Sequence, residues 1–189
     1  MTGAALALCA CATDTPIAGP VPDLGFQHLS PINLAVSKIV VTNAYQSPLK
    51  APNAEHRFPT PPAAAITTWT NARLKAVDSS APAMATLTIE DASVIENKLQ
   101  KTKGFKGLFT YEPTERYDAT AIARLEVNES RQGARATIRV EARRSVEVSE
   151  NATLAEREKA WFEMIEALMG DFNDQMNQQI DRYLARWIR

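Results

Sequence analysis

From Pro31 onward the spacing of apolar and polar positions predicts a regular succession of elements. Ile32 to Tyr45 is β-branched and bounded by Pro31 and Pro48, as a strand would be. Leu34 and Val36 share one parity and Ile39 and Val41 the other. That slip predicts a β-bulge near Ser37–Lys38, or a strand covered on both faces at one end. A proline-rich loop from Pro48 to Pro62 follows, carrying His56 and the step Arg57–Phe58–Pro59. Ile66, Trp69, Ala72, Leu74 and Val77 then recur at helical spacing. They predict a helix from about Pro62 to Val77, with Thr60 as N-cap and Pro61 near the first helical position.

Three strand patterns come next. Ala85 to Glu90 alternates and is expected to run on to about Glu96. Tyr117, Ala119, Ala121, Ala123, Leu125 and Val127 form one face of a second strand, with Arg124 and Glu126 on the other. After a turn over Asn128–Gly133, Ala136, Ile138, Val140 and Ala142 resume the alternation opposite Arg139, Glu141 and Arg143. Period-2 alternation with one polar face describes an antiparallel sheet wet on one side. Its alanine-rich inner row leaves room for a helix to come close.

The last segment opens with Thr153-Leu-Ala-Glu156, a capping box. Leu154, Trp161, Ile165, Leu168, Phe172, Met176, Ile180, Tyr183 and Trp187 then march at helical steps. One helix from Leu154 to Trp187 would be about 50 Å long. It is expected either to bend near Gly170 or to project beyond the domain. The order β-α-β-β-β-α predicts an α+β two-layer sandwich: a four-stranded, mainly antiparallel sheet with both helices on one face.

Composition narrows the class. The 189 residues are 45% hydrophobic and 23% charged, values of a globular chain with room for one domain. Lys and Arg number 21 against 22 Asp and Glu, so the net charge of -1 argues against a general nucleic-acid binder.

The first residues differ from the rest. Ala4 to Ala12 is uninterruptedly apolar and small, and holds both cysteines. It is too short to span a bilayer, which takes about 20 helical residues. Leu8-Cys9-Ala10-Cys11 resembles the lipobox of bacterial lipoproteins, with Leu8, Ala10 and Cys11 on the family pattern and Cys9 less typical at the second position. No Lys or Arg precedes it, so a start codon further upstream or a trimmed end is expected. The resemblance implies lipidation of Cys11, and Ala12 after it implies sorting to the outer membrane, facing the periplasm. Residues 1–11 thus read as a signal-like segment, 12–30 as a Pro/Gly-rich tether, and 31–189 as a single α+β domain. A Cys-x-Cys metal clip lacks further ligands, and a Cys9–Cys11 disulfide is sterically awkward, so the alternative to a lipoprotein signal is an apolar end without a role.

With that start, the element order resembles two groups of Gram-negative envelope lipoproteins: the auxiliary lipoprotein of ABC-type intermembrane lipid transport systems, the PqiC-like group, and the lipopolysaccharide-assembly lipoprotein LptE. The resemblance is one of topology from Pro31 to Trp187 and carries over no functional residue except Cys11.

Chemistry is sparse. There is no Gly-x-Ser-x-Gly elbow, no cysteine beyond Cys11 to pair with a histidine, and no phosphate loop around Gly104 and Gly107. His28 and His56 sit in proline-rich loops. No catalytic residue, metal or cofactor is expected. One segment stands out: Lys98, Lys101, Lys103 and Lys106 interleave with Phe105, Leu108, Phe109 and Tyr111, without an acid among them. Either the lysines attract an anionic lipid headgroup, a membrane surface or an acidic partner groove while Phe105, Leu108 and Phe109 insert, or the aromatics cover the sheet edge. Trp187 is a further candidate contact, because tryptophan is a favoured interface anchor. The expected role is a non-enzymatic accessory or docking subunit of an envelope transport or assembly system, anchored to the membrane by lipid and bound to an envelope protein. The alternatives are a periplasmic carrier of a lipid or other apolar ligand between helices and sheet, and a hydrolase gathering His56 with Glu90 or Asp91.

Overall fold

The computed structural model describes residues 24–99, 113–131, 133–149 and 151–189. The elements are β1 (Ile32–Leu34), β2 (Ile39–Asn43), α1 (Pro62–Arg73), β3 (Leu74–Ala76), β4 (Ala83–Asp91), β5 (Val94–Lys98), β6 (Pro113–Glu129), β7 (Ala134–Ser149) and α2 (Leu154–Tyr183). The α+β class holds, but the sheet differs from the expected one. It has five strands and is mixed, because β2 pairs parallel with β4. β6 is its spine. Along one edge its later half pairs with β4 and its earlier half with β5, while β7 runs antiparallel along the other edge. A register shift at Ile89/Asp91 separates β4 from β5, which is why the expected strand from Ala85 to Glu96 is two.

The parity slip at Ser37–Lys38 is a break between sheets rather than a bulge. β1 leaves to form a separate parallel pair with β3, Ile32 beside Leu74 and Leu34 beside Ala76. The serine marks the crossing: Ser37 donates both its amide and its hydroxyl to the Ala83 carbonyl, at 2.8 and 3.0 Å. Pairing with β1 also ends α1 early, at Arg73 rather than Val77, since Leu74–Ala76 is drawn into the ladder. Thr60 does not cap α1. Pro61 occupies the cap position without a side-chain bond, and Pro62 starts the helix. A proline there removes an amide that would have needed a partner.

The inner face of the sheet is made as the alternation predicts. Tyr117, Ala119, Ala121, Ala123, Leu125 and Val127 are all fully buried, opposite Ala85, Leu87 and Ile89 of β4 and Ile138, Val140 and Ala142 of β7. Both helices pack on these strands. The alanines of β6 let them approach, and large side chains fill the layer: Trp69 meets Phe172 edge-on at 5.2 Å, with Ile165, Leu168, Met169 and Met176 fully buried beside them. Each aromatic ring removes about 150–250 Å² from water. This is the layer in which the carrier reading places its ligand. Packing against the core also begins before Pro31: Phe26 is buried, and Leu24 and Leu29 lie against it.

α2 is capped by the expected box, with Thr153 accepting from the Glu156 amide and Glu156 from the Thr153 amide. It runs unbroken through Gly170 and gives way after Tyr183 to a short turn, Ala185–Trp187. Its end does not project. β6 and β7 are 17 and 16 residues long, so the sheet reaches about 55 Å and matches the helix. Beyond the turn, Ile188 bridges antiparallel to Leu34, and Ala35 donates to the Trp187 carbonyl at 2.7 Å.

The outer face of the sheet is wet. Arg124 and Arg139 stand directly opposite one another on β6 and β7, and Glu90 of β4 accepts from the Nε of each at 2.8 Å. Glu141 continues the lattice to Arg139 and Arg143. Arg139 in turn raises the local positive potential, and its hydrogen bond is the main cause that holds the Glu90 carboxyl below its ordinary range.

Candidate functional site

The inner row of the sheet is apolar in its middle and charged at both ends, which defines two sites. The first lies where β5 ends and β6 begins. Lys98 pairs in register with Glu115 and is exposed. β5 ends at Lys98 and β6 begins at Pro113 at this same end of the sheet. Lys101, Lys103, Phe105, Lys106, Leu108 and Phe109 lie outside the described residues, as does Cys11.

Three rings meet beneath this end. Phe58 stacks on Trp161 at 4.5 Å, and Tyr117 meets both edge-on, at 5.9 Å from Phe58 and 5.3 Å from Trp161. Two guanidiniums flank the indole: Arg57 at 5.5 Å and Arg157 at 6.0 Å from its centre. Each is pinned by an inward carboxylate, Arg57 by Glu96 and Arg157 by Glu115. Burial opposes the charge of Glu115, but hydrogen bonds from Arg157 and Tyr117 outweigh it and hold its carboxyl below the ordinary range. The Tyr117 phenol is pushed up to about 12, first by burial and then by Glu115. It therefore stays a donor across the physiological range. Among the described residues, Trp161 Nε1 is buried without a hydrogen-bond partner. The arrangement is an aromatic cluster in which each guanidinium is paired with a carboxylate.

The sequence pattern placed Trp161 and Tyr117 on core faces and Arg57–Phe58 in a loop, without bringing them together. The juxtaposition depends on the loop Ala44–Pro59 folding along the sheet edge. There Asn53 bridges Ile95, and the Ala54 amide donates to the Val94 carbonyl at 2.8 Å. Buried Glu55 locks that loop. It accepts from Tyr45 Oη at 2.8 Å, Asn53 Nδ2 at 3.5 Å, the Val94 amide at 3.2 Å, and Ser47 Oγ.

The second site is at the opposite end, where Trp187 is buried under a groove of about 200 Å³. Arg186, Arg189, Glu129, Asp78 and Ala35 line it as well. Glu129 extends the inward row of β6 one step past Val127. Carrying the alternation two residues past Val127 would have shown it as an acid facing the core.

Of the residues in the hydrolase reading, Glu90 lies in the outer-face arginine lattice, Asp91 Oδ1 accepts from the Ser93 amide at 2.9 Å, and His56 is exposed. Among the described residues, no group of three His, Cys, Asp or Glu side chains is arranged to hold a metal, and no helix is long and apolar enough to cross a membrane.

No protein-family model and no curated protein matches the chain. Among solved structures, it is similar to the crystal structure of protein XCC0632 from Xanthomonas campestris, assigned to the family DUF330. Identity is 10%, the match covers 79% of this chain and 91% of that one, and the TM-score is 0.31. That likeness is too remote to transfer a fold or a function.

Proposed function

We propose that the chain is a non-enzymatic outer-membrane lipoprotein, anchored through Cys11 on the periplasmic side, that serves as the accessory or docking subunit of an envelope transport or assembly system. The observation that carries this reading is the opposition of the two ends. β1 lies beside Ala35, Ile188 and the groove, while β5 ends in the exposed Lys98 at the other end. In this reading the Lys98 end faces a partner, and its exposed lysine suits one with carboxylates.

The test is the intact mass of the protein extracted from membranes of a Gram-negative host, the gene carrying its own upstream region, beside Cys11→Ala. A mature chain starting at Cys11 with a diacylglycerol and an acyl group, lost in the variant, supports the anchor. An unmodified soluble chain would remove it.

A further inference from the structure

We propose that the groove at the Trp187 end is a binding site for a small zwitterion, one carrying a primary ammonium a few bonds from a phosphate, as in an aminoalkyl phosphate. The site goes beyond the docking role and does not depend on it, since the two lie at opposite ends of the sheet.

Four separate segments build the groove: Ala35 after β1, Asp78 to Ala83 before β4, Glu129 at the end of β6, and Arg186 to Arg189 after α2. Backbone bonds fix them to one another. Ala35 donates to Trp187 at 2.7 Å, Arg189 to Asn33 at 3.0 Å, Ser37 to Ala83 at 2.8 Å and Ser130 to Pro82 at 3.3 Å. The carbonyls of Pro82 and Ala83 are taken twice each, because the hydroxyls of Ser130 and Ser37 also donate to them. The floor is therefore spent, and recognition falls to the side chains.

Those side chains are two carboxylates and two guanidiniums. Glu129 lies on the core face of β6 with only 9% of its side chain exposed. Among the described residues its one donor is Arg186 Nη2, at a long 3.3 Å. A carboxylate accepts about four hydrogen bonds, and a buried one is normally well supplied. An ammonium bringing three donors fits what Glu129 lacks. Asp78 is satisfied differently: Ser80 donates both its amide and its hydroxyl, at 3.1 and 2.7 Å, and holds the carboxyl below its ordinary range, with Arg189 adding attraction. Arg189 supplies the positive charge for the anionic half of the ligand. Trp187 walls the site, with Arg186 over its ring at 5.6 Å.

Charge and size select the ligand. Two negative and two positive side chains sum to zero, so an ion of either sign alone faces as much repulsion as attraction, whereas a ligand with both signs pairs with both. A volume of about 200 Å³ is below the range of larger organic ligands and equals the space of roughly six or seven waters. The same chemistry comes from two sources, a free aminoalkyl phosphate or the headgroup of a zwitterionic phospholipid.

The test is a titration of the full chain followed by the nitrogen–proton signals of the Trp187 indole and the Ala35 amide. The probes are phosphoethanolamine, phosphocholine, ethanolamine, inorganic phosphate, and vesicles of phosphatidylethanolamine or phosphatidylcholine. Phosphoethanolamine is expected to shift both signals, with at least tenfold weaker binding for phosphocholine, whose quaternary nitrogen has no proton to donate. Ethanolamine and phosphate alone are expected to bind at least tenfold more weakly too. Glu129→Gln and the exposed Arg189→Gln are each expected to weaken phosphoethanolamine tenfold at unchanged melting temperature. Should Glu129→Gln fail to fold, Arg189→Gln alone carries the test. Response to the phosphatidylethanolamine vesicle but not the free compound assigns a membrane source, and response to both assigns a soluble one. Phosphate binding as tightly as phosphoethanolamine, indifference to both variants, or no response to either source overturns the proposal.

Discussion

Glu55 is the residue on which the aromatic cluster depends, and replacing it with glutamine is a sharp perturbation. The side chain keeps its size, but one acceptor oxygen becomes a donor. In the native loop the carboxylate takes Tyr45 and Ser47 on Oε1 and Asn53 and the Val94 amide on Oε2. Turned toward Asn53 and Val94, its NH₂ faces two N–H donors; turned toward Tyr45 and Ser47, it meets hydroxyls that can accept only by giving up the bonds they donate. Hydrogen bonds to a charged group contribute about 1.5–3 kcal/mol each, and a buried donor left unmet costs about 1–3 kcal/mol. Allowing for relaxation of the loop, Glu55→Gln is expected to cost about 3 kcal/mol. For a chain of 189 residues that lowers the melting temperature by about 6–12 °C.

The effect has a pH signature. Burial alone would raise the Glu55 carboxyl, but the hydrogen bonds from Ser47, its own backbone, Tyr45 and Val94 win, and hold it below its ordinary 4.5. A depressed carboxyl contributes its full stability above the unfolded value and loses it as the pH falls through the folded one. The gap between parent and variant should therefore be complete at pH 7 and narrow below about pH 4.5. Thermal melts followed by near-ultraviolet circular dichroism, which reads the packed rings, measure both. A loss under about 0.5 kcal/mol, or a gap unchanged from pH 7 to pH 3, would refute the reasoning.

Gly170→Ala is expected to raise stability by about 1 kcal/mol, since the glycine sits inside α2 and an added methyl meets nothing within 4 Å; a lowered melting temperature would contradict this. Asn173→Ala strands the Trp69 indole and removes the Nε partner of the buried Arg73, the two sharing its oxygen at 3.0 and 3.2 Å, while Arg73 keeps Asn177 at 2.7 Å. Denaturant titration should show a loss of about 2–4 kcal/mol, and under 1 kcal/mol would speak against the shared bond. Glu90→Gln on the half-exposed outer lattice should cost less than about 1 kcal/mol and fade in 1 M salt, a larger or salt-insensitive loss counting against solvent screening.

The parts of the fold legible in the sequence are those where a single periodicity rules. The inward row from Tyr117 to Val127 and the box at Thr153–Glu156 needed only local rules, and both stand in the structure. What the pattern could not convey is pairing across distance. The slip between Val36 and Ile39 was visible, but its cause, the departure of β1 to a second sheet with β3, depends on residues about 40 positions away. The same contact overrode helical spacing at Leu74. The parallel pairing of β2 with β4 was likewise hidden, because a five-residue strand reads alike in either direction. At the site, Lys98 was legible from composition, while the convergence of Arg57, Phe58 and Arg157 on Trp161 required the Glu55 loop. Glu129 was a matter of extending the alternation two residues past Val127.

The account's central claim is that the two ends of the sheet face different neighbours. The direct measurement is site-specific photo-crosslinking in the intact envelope of a Gram-negative host, with the reactive residue placed at Phe105 in one variant and at Arg189 in another. The account predicts that the Phe105 probe captures an envelope protein that the Arg189 probe does not. Phospholipid captured at Phe105, or the same protein captured at both positions, would contradict it.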